Sequence, residues 1–416
     1  MSNKQDTNHT ELNPTDHNRR VFLMASIAGI STAVVSGLFS EDVAAAENDK
    51  AFNTEKESLL FTNNQSFFFL GELLAADEMR ITIVGSSSLA RKAQAGTSIF
   101  LELGNGDSFI FDAGPGVGAN YTALGVPYSR MDRVFLSHLH CDHMTDLTYI
   151  YGEGPIYDRK TPLRIWGPSG KEPKFGTNAF VESMKAMCIW HTESLSFQQN
   201  GNGYETEVCE FDYTQNPGVA YNQKGVVIKH FPAVHLKDGA VSYRVDWNGL
   251  SFVFSGDSQP NTFMVENAQN VDILIHQTIA PPGVWAKEYK MPLQQTIDMQ
   301  NISDTPPNAA GTIFALTKPR LGVLTHMQIN ENTKFFILDS CREVYDEPVA
   351  IAQDLIVFNV SKNQIRQRMA IVPDLALQNT VKRYENLPPP KYKPREQLSP
   401  QWLLDAVIPQ EEWKKV

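Results

Sequence analysis

Between residues 47 and 77 apolar and polar positions follow no period, apart from the patch Phe67-Phe68-Phe69-Leu70. This stretch predicts a leader that packs on the domain after it. From Met79 the pattern becomes regular. Arg80–Gly85 predicts a strand ending at glycine. Ser98–Leu103 and Ser108–Asp112 predict a hairpin about the turn Gly104-Asn105-Gly106-Asp107. Arg133–Ser137 is a short apolar run, as in a strand buried on both faces, and it stops at His138. Further strands are predicted at Leu163–Trp166, Val226–Phe231, Val241–Trp247, Ser251–Ser255, Asp272–His276 and Leu321–Thr325. Helices are predicted at Phe180–Met187, Thr262–Ala268 and Asn308–Leu316. Strands crowd the first half and helices interleave later, which predicts two sheets face to face with helices outside, an α/β sandwich. The expected organisation is a targeting segment (1–46), a leader (47–77), the sandwich domain (78–375) and an extension (376–416) that opens near Pro388-Pro389-Pro390.

Composition excludes little: of 416 residues, 42% are hydrophobic and 20% charged, enough to bury a large core. Charge changes the picture more. The formal net charge of −11 repels phosphate backbones, so a nucleic-acid partner would need a local basic patch. The nearest run, Lys391-Tyr392-Lys393-Pro394-Arg395, sits beside prolines and reads as a solvated tail. Nucleic acid is therefore not an expected partner.

The first segment resembles an export signal. Asn18-Arg19-Arg20-Val21-Phe22-Leu23-Met24 resembles the twin-arginine motif. An apolar stretch from Val21 to Phe39 follows, diluted by Gly29, Ser31, Thr32, Ser36 and Gly37. Val43-Ala44-Ala45-Ala46 then offers an A-x-A cleavage site. Cleavage is expected over anchoring, with no permanent membrane span. The resemblance implies a bacterial periplasmic or cell-envelope destination, with the Tat export machinery as partner. Cys141, Cys188, Cys209 and Cys341 allow three full disulfide pairings, or none.

The chemistry concentrates in His138-Leu139-His140-Cys141-Asp142-His143. Three imidazoles and a carboxylate within one short run would be expensive to bury unpaired. They are the ligands that zinc takes in catalytic sites. The two-residue step from His138 to His140 points both side chains to one side of an extended segment. Asp142 and His143 then turn toward a second position, so one loop can feed two metals.

This run resembles the H-x-H-x-D-H signature of the metallo-β-lactamase superfamily. The other parts of that pattern follow in order: Phe111-Asp112-Ala113-Gly114, His235 in Phe231-Pro232-Ala233-Val234-His235, Phe254-Ser255-Gly256-Asp257-Ser258, and Leu324-Thr325-His326-Met327. The resemblance covers about Met79 to Met327 and implies the four-layer αββα fold. It implies two divalent ions, Zn2+ first, with Mn2+ or Fe2+ as alternatives. His138, His140 and His235 would hold one ion, Asp142, His143 and His326 the other, with Asp257 bridging them. The ions would generate a bridging hydroxide. Asp142 would orient it and pass its proton on, and Asp112 would fix a ligand imidazole. His276, His191 and His230 match no ligand motif and are expected to be structural or supporting.

Asp257 argues against a true β-lactamase, which carries no bridging carboxylate there. Thr161–Gly170, Asp272-Ile273-Leu274-Ile275-His276 and Asp304–Gly311 resemble segments of the ribonuclease Z and arylsulfatase-like branch. Asp304 stands where that branch has histidine, and Gln277 where it often has an acid. Ribonuclease Z carries an arm between the third-motif histidine and the bridging aspartate; here that gap is 22 positions, filled by two predicted strands. A longer insertion between His143 and His235, including Met187–Tyr213, is expected to shape the substrate pocket. The resemblance implies a metallo-hydrolase of sulfate, phosphate or related small esters, arylsulfatase-like, with a small-molecule ester as partner. The alternatives are a ribonuclease Z-like phosphodiesterase or endoribonuclease, a lactonase, and a non-catalytic ligand-binding protein. Oligomeric state stays open, a homodimer among the options.

Overall fold

The computed structural model describes residues 67–195, 201–379, 400–407 and 409. The twin-arginine-like run, the A-x-A site and the Lys391–Arg395 run lie outside the described residues. Among the described residues no helix is long and apolar enough to cross a membrane.

In chain order the strands are β1 (Phe67–Phe69), β2 (Met79–Gly85), β3 (Ser98–Leu103), β4 (Ser108–Phe111), β5 (Arg133–Phe135), β6 (Leu163–Pro168), β7 (Thr206–Phe211), β8 (Gly218–Gln223), β9 (Val226–Pro232), β10 (Val241–Trp247), β11 (Leu250–Phe254), β12 (Ile273–Gln277), β13 (Leu321–Thr325), β14 (Val349–Ile351), β15 (Ile356–Val360) and β16 (Ile365–Ile371). One sheet runs β1-β16-β15-β2-β3-β4-β5-β6-β7, the other β14-β13-β12-β11-β10-β9-β8.

Alternation within each strand explains the layering. In β2, Met79, Ile81 and Ile83 face the other sheet; in β3, so do Ile99, Leu101 and Leu103. They meet Tyr243, Val245, Phe252, Ile273 and Val323 of the second sheet, and this inter-sheet core includes stacked Phe135 and Trp166, 4.7 Å between centroids. The intervening residues Val84 and Phe100 face outward into a separate cluster. That cluster includes Val117 and Tyr121 of helix Val117–Ala123 and Leu147 and Ile150 of helix Leu147–Glu153. On the far side, Val253, Leu274 and Leu324 pack on Met264 of helix Thr262–Asn267 and on Ile313 and Phe314 of helix Pro307–Thr317. Strands apolar on both faces thus give four layers, αββα, as the sequence pattern predicts.

The pattern was less informative elsewhere. Phe67–Phe69 pairs parallel with Met369–Ile371 of β16, so part of the expected leader is an edge strand. The expected extension is tied down at its start, where Gln378 donates to the Val126 carbonyl at 3.0 Å. The Met187–Tyr213 stretch, expected to shape the pocket, supplies helix Ile189–Leu195 and edge strand β7, paired with β6. Helices Pro282–Tyr289, Leu293–Ser303 and Glu331–Arg342 were not predicted. All four cysteines are free thiols, Cys141 and Cys209 exposed.

Candidate metal centre

The strand ends converge on one edge of the sandwich. β5 stops at Phe135, the chain bends at Ser137, and His140, in extended backbone, sits at the N-cap of the short helix Cys141–Met144. His143 lies in that helix. His235 follows β9, Asp257 follows β11 and His326 follows β13. Asp112, just past β4, has φ 59° and His326 has φ 67°. Left-handed backbone at a non-glycine residue costs on the order of 1–3 kcal/mol and persists only where the surroundings hold it. Here it aims both side chains inward.

All seven residues expected as ligands come together, in two sets. In the first, His138 Nε2 faces His140 Nδ1 at 3.0 Å, and His235 Nε2 faces the same His140 Nδ1 at 3.2 Å. Asp257 Oδ2 lies 3.8 Å from His138 Nε2 and from His235 Nε2. In the second, His143 Nε2 and His326 Nε2 are 3.2 Å apart. Asp142 Oδ2 lies 3.0 Å from His326 Nε2 and 3.4 Å from His143 Nε2. Asp257 Oδ1 lies 3.2 Å from His326 Nε2 and 3.3 Å from His143 Nε2. Asp257 therefore turns one oxygen to each set.

The donor set fits metal ions on grounds internal to the structure. A tetrahedron of ligands about 2.05 Å from zinc has edges of about 3.3 Å, close to these separations. Ring nitrogens turned toward one another repel through their lone pairs unless a cation or a proton lies between them. Asp257 Oδ1 is buried and accepts no hydrogen bond, the expense that a cation removes.

The electrostatics divide the two sets. Burial, and then the neighbouring His143, hold the His138 pKa well below its ordinary value. Burial and then His235 lower that of His140. Burial opposes charging of His143, yet the Asp257 and Asp112 carboxylates outweigh it and raise its pKa well above the ordinary value. Burial likewise opposes ionisation of Asp257, but the His143 and His326 imidazoles hold its carboxyl far below the usual range. His138 and His140 of the first set are thus held neutral, whereas in the second set carboxylates and imidazoles pair. A cation entering the second would displace protons from its rings.

Behind the sets lies a support layer that fixes the rings of His138, His143 and His235. His143 Nδ1–H donates to Asp112 Oδ2 at 2.7 Å. The Ser137 hydroxyl donates to the same oxygen at 2.6 Å and accepts from His138 Nδ1–H at 3.1 Å. The Ser137 backbone N–H donates to Asp112 Oδ1 at 2.7 Å. One fully buried carboxylate therefore orients an imidazole of each set. Asp112 was expected in this role; Ser137 was not, because a serine before the histidine run carries no signal by itself. His235 Nδ1–H donates to the Ser303 carbonyl at 2.8 Å, a partner 68 positions away that no local pattern announces. Gln277 donates to Asp304, and its carbonyl oxygen accepts from the Thr305 N–H at 3.3 Å and the Ser258 N–H at 3.4 Å. It cross-links the loops after β11 and before helix Pro307–Thr317.

The other histidines stay outside both sets. His276 is buried at the end of β12, its ring edge-on to Phe314. His230 stacks on Phe211 at 3.7 Å between centroids. His191 lies in helix Ile189–Leu195.

Residues 79–290, just over half of the chain, match the family model described as anti-Pycsar protein Apyc1. Among curated proteins, the ribonuclease Z of Natronomonas pharaonis is 25% identical over 228 residues, covering 48% of this chain and 74% of that one. The ribonuclease Z of Methanothermobacter thermautotrophicus is 23% identical over 317 residues, covering 68% and 97%. Among solved structures, the metallo-beta-lactamase fold protein YhfI from Bacillus subtilis superposes with a TM-score of 0.50 at 18% identity, covering 68% of this chain and all of that one. The fold is the metallo-β-lactamase fold, and the similar sequences are ribonuclease Z-like.

Proposed function

The chain belongs to the anti-Pycsar protein Apyc1 family, and from that footing we propose that this metallo-hydrolase cleaves phosphodiester bonds in small nucleotide substrates at a dinuclear centre. The observation that carries the reading is Asp257, buried and turning Oδ2 to one ligand set and Oδ1 to the other. His138, His140 and His235 would hold one ion, and Asp142, His143 and His326 the other. Divalent cations there, Zn2+ by donor type, would supply charge that makes a water acidic near neutral pH and offsets negative charge growing on phosphoryl oxygens.

The protein's own part is positioning and proton handling. Burial opposes ionisation of Asp142, but hydrogen bonds with His143 and His326 hold its carboxyl far below the usual range. Its side chain is 22% exposed, against 5% or less for its three partners in the set. We assign to Asp142, held as a carboxylate, the orientation of the attacking water by accepting its hydrogen bond. Asp112, Ser137 and the Ser303 carbonyl keep His143, His138 and His235 in the tautomer that presents a lone pair to the site.

Phosphodiester is favoured over sulfate ester because the named relatives are ribonucleases, by name enzymes of RNA. A small substrate is favoured over tRNA by two observations. The positions between His235 and Asp257 are taken by β10 and β11, paired antiparallel within the sheet, which leaves no arm. The net charge of −11 disfavours a polyanion. Export through the twin-arginine pathway is part of the proposal and rests on the N-terminal run alone.

The test is a substrate panel on the zinc- or manganese-loaded full chain: bis(p-nitrophenyl) phosphate, a cyclic mononucleotide, p-nitrophenyl sulfate, a lactone and precursor tRNA. The expected result is turnover of the two small phosphodiesters. Turnover confined to the sulfate, the lactone or the tRNA would refute the assignment.

A further inference from the structure

The loop after His326 does more than carry a ligand. Met327 follows it directly, and its N–H donates to the Ser86 carbonyl at 3.2 Å. Met327 forms one wall of a cavity of about 190 Å³. The facing wall is the helix Pro282–Tyr289, which the sequence pattern did not predict. Trp285 and Tyr289 stand one turn apart on it, so both rings project on the same side. They meet edge to face with centroids 6.2 Å apart. Both line the cavity, with Arg91, Glu288 and Gln328 among its other lining groups. The Tyr289 hydroxyl donates to the Gln328 side-chain oxygen, and the Arg91 guanidinium donates to Gln94 and to the Ile329 carbonyl, which pins this end of the loop.

Three features limit what can enter. The volume is below the roughly 300–1,000 Å³ of pockets that take a whole drug-sized ligand, so one ring system fits and a complete nucleotide does not. Two aromatic rings and a methionine offer faces and edges for a flat group. The polar lining groups are already paired within the wall, Arg91 with Gln94 and the Ile329 carbonyl, Tyr289 with Gln328 and Glu288 with Asn330, so an entering group meets chiefly the aromatic and methionine surface.

We propose that this cavity is the base subsite of the enzyme, with Trp285 and Tyr289 as its specificity-determining residues. The planar heteroaromatic base of the substrate seats against them while its phosphodiester reaches the metal ligands beside Met327. The inference rests on the phosphodiesterase reading above. It adds that recognition of the base is separable from the chemistry.

The experiment compares a cyclic ribonucleotide with the same cyclic ribose phosphate lacking its base, on the metal-loaded full chain and on Trp285→Ala, Trp285→Phe and Tyr289→Leu. For Trp285→Ala the expected result is a rise in KM of about tenfold or more for the nucleotide, in line with base–aromatic stacking. Its kcat should stay within about threefold, and KM for the abasic ester should not change. Trp285→Phe keeps a stacking face and should recover most of the loss, which shows that Trp285→Ala folds but lacks a platform. The free nucleoside should inhibit hydrolysis of the abasic ester by the unaltered chain and not by Trp285→Ala. Equal changes in KM for both esters, or no change for either, would overturn the subsite and leave the phosphodiesterase reading standing. Failure of the unaltered chain to cleave either ester would overturn both.

Discussion

Asp112→Asn tests the support layer more sharply than loss of any ligand, because it keeps the shape and changes one proton. In the structure Asp112 accepts three hydrogen bonds: from the Ser137 N–H, the Ser137 hydroxyl and His143 Nδ1–H, all at 2.6–2.7 Å. An asparagine can retain the first through its carbonyl oxygen. Its amide nitrogen then faces Ser137 Oγ and His143 Nδ1 as a donor. His143 Nδ1 must become an acceptor, which moves the ring proton to Nε2, the atom directed at His326 Nε2 and Asp257 Oδ1. The lone pair meant for a cation is lost. Outer-shell partners of this kind change metal affinity by roughly 10–100-fold, which is about 1.4–2.7 kcal/mol at 1.36 kcal/mol per decade. Two bonds to a charged acceptor are also lost or reversed, so the metal-free protein should lose about 3 kcal/mol or more of folding stability. The assay is chelator competition for zinc at pH 7, beside urea unfolding of the metal-free protein. Metal affinity equal to that of the unaltered chain would refute the tautomer argument, and an unchanged urea midpoint would refute the account of Asp112 as the shared anchor of His138 and His143.

Two further outcomes follow from groups outside the ligand sets. Burial pushes the His230 pKa down to about 4, and its ring nitrogens make no hydrogen bonds. Below pH 6.5 the unfolded chain takes up a proton here that the folded chain refuses. The contribution of His230 is therefore complete above pH 6.5 and is lost as pH falls toward 4, by about 2.5 kcal/mol at pH 4.5. The difference in unfolding free energy between the unaltered metal-free chain and His230→Phe should change by roughly this amount between pH 7 and pH 4.5; a constant difference would contradict it. Gly114→Ala would place a Cβ 2.1 Å from the Asp142 carbonyl oxygen and 2.6 Å from the Thr97 nitrogen, both backbone atoms. It should lower stability by about 1–3 kcal/mol and weaken metal binding by displacing the Asp142 loop; unchanged values for both would show that the loop is free to move.

The expected ligands were readable because their chemistry is local and ordered along the chain. His138-Leu139-His140-Cys141-Asp142-His143 places four donors in one loop, and His235, Asp257 and His326 each follow a strand. The two-sheet sandwich was readable because Val241–Trp247 alternates apolar residues with Ser242, Arg244 and Asp246, while Leu321–Thr325 is a near-continuous apolar run. Other elements were hidden for physical reasons. Phe67–Phe69 and Val349–Ile351 are three residues long, too short to show a period. β7 alternates between half-buried and exposed positions because it lies at an edge. The helices Pro282–Tyr289 and Leu293–Ser303 bury few side chains, so they carry little apolar stripe.

What the sequence alone determined was the set of donors and the strands that deliver them, since both depend on residue type and near-neighbour spacing. The tertiary structure decided which nitrogen each imidazole presents: His140 turns Nδ1 to the first set, while His138 and His235 turn Nε2. For His143 and His235 that choice belongs to Asp112 and the Ser303 carbonyl, which come from elsewhere in the chain, and for His138 to Ser137, which Asp112 holds in place. It also decided that Trp285 and Tyr289 stand beside the loop of His326. Contacts between segments distant in sequence leave no periodic trace, because each partner is chosen only once the sheets have packed.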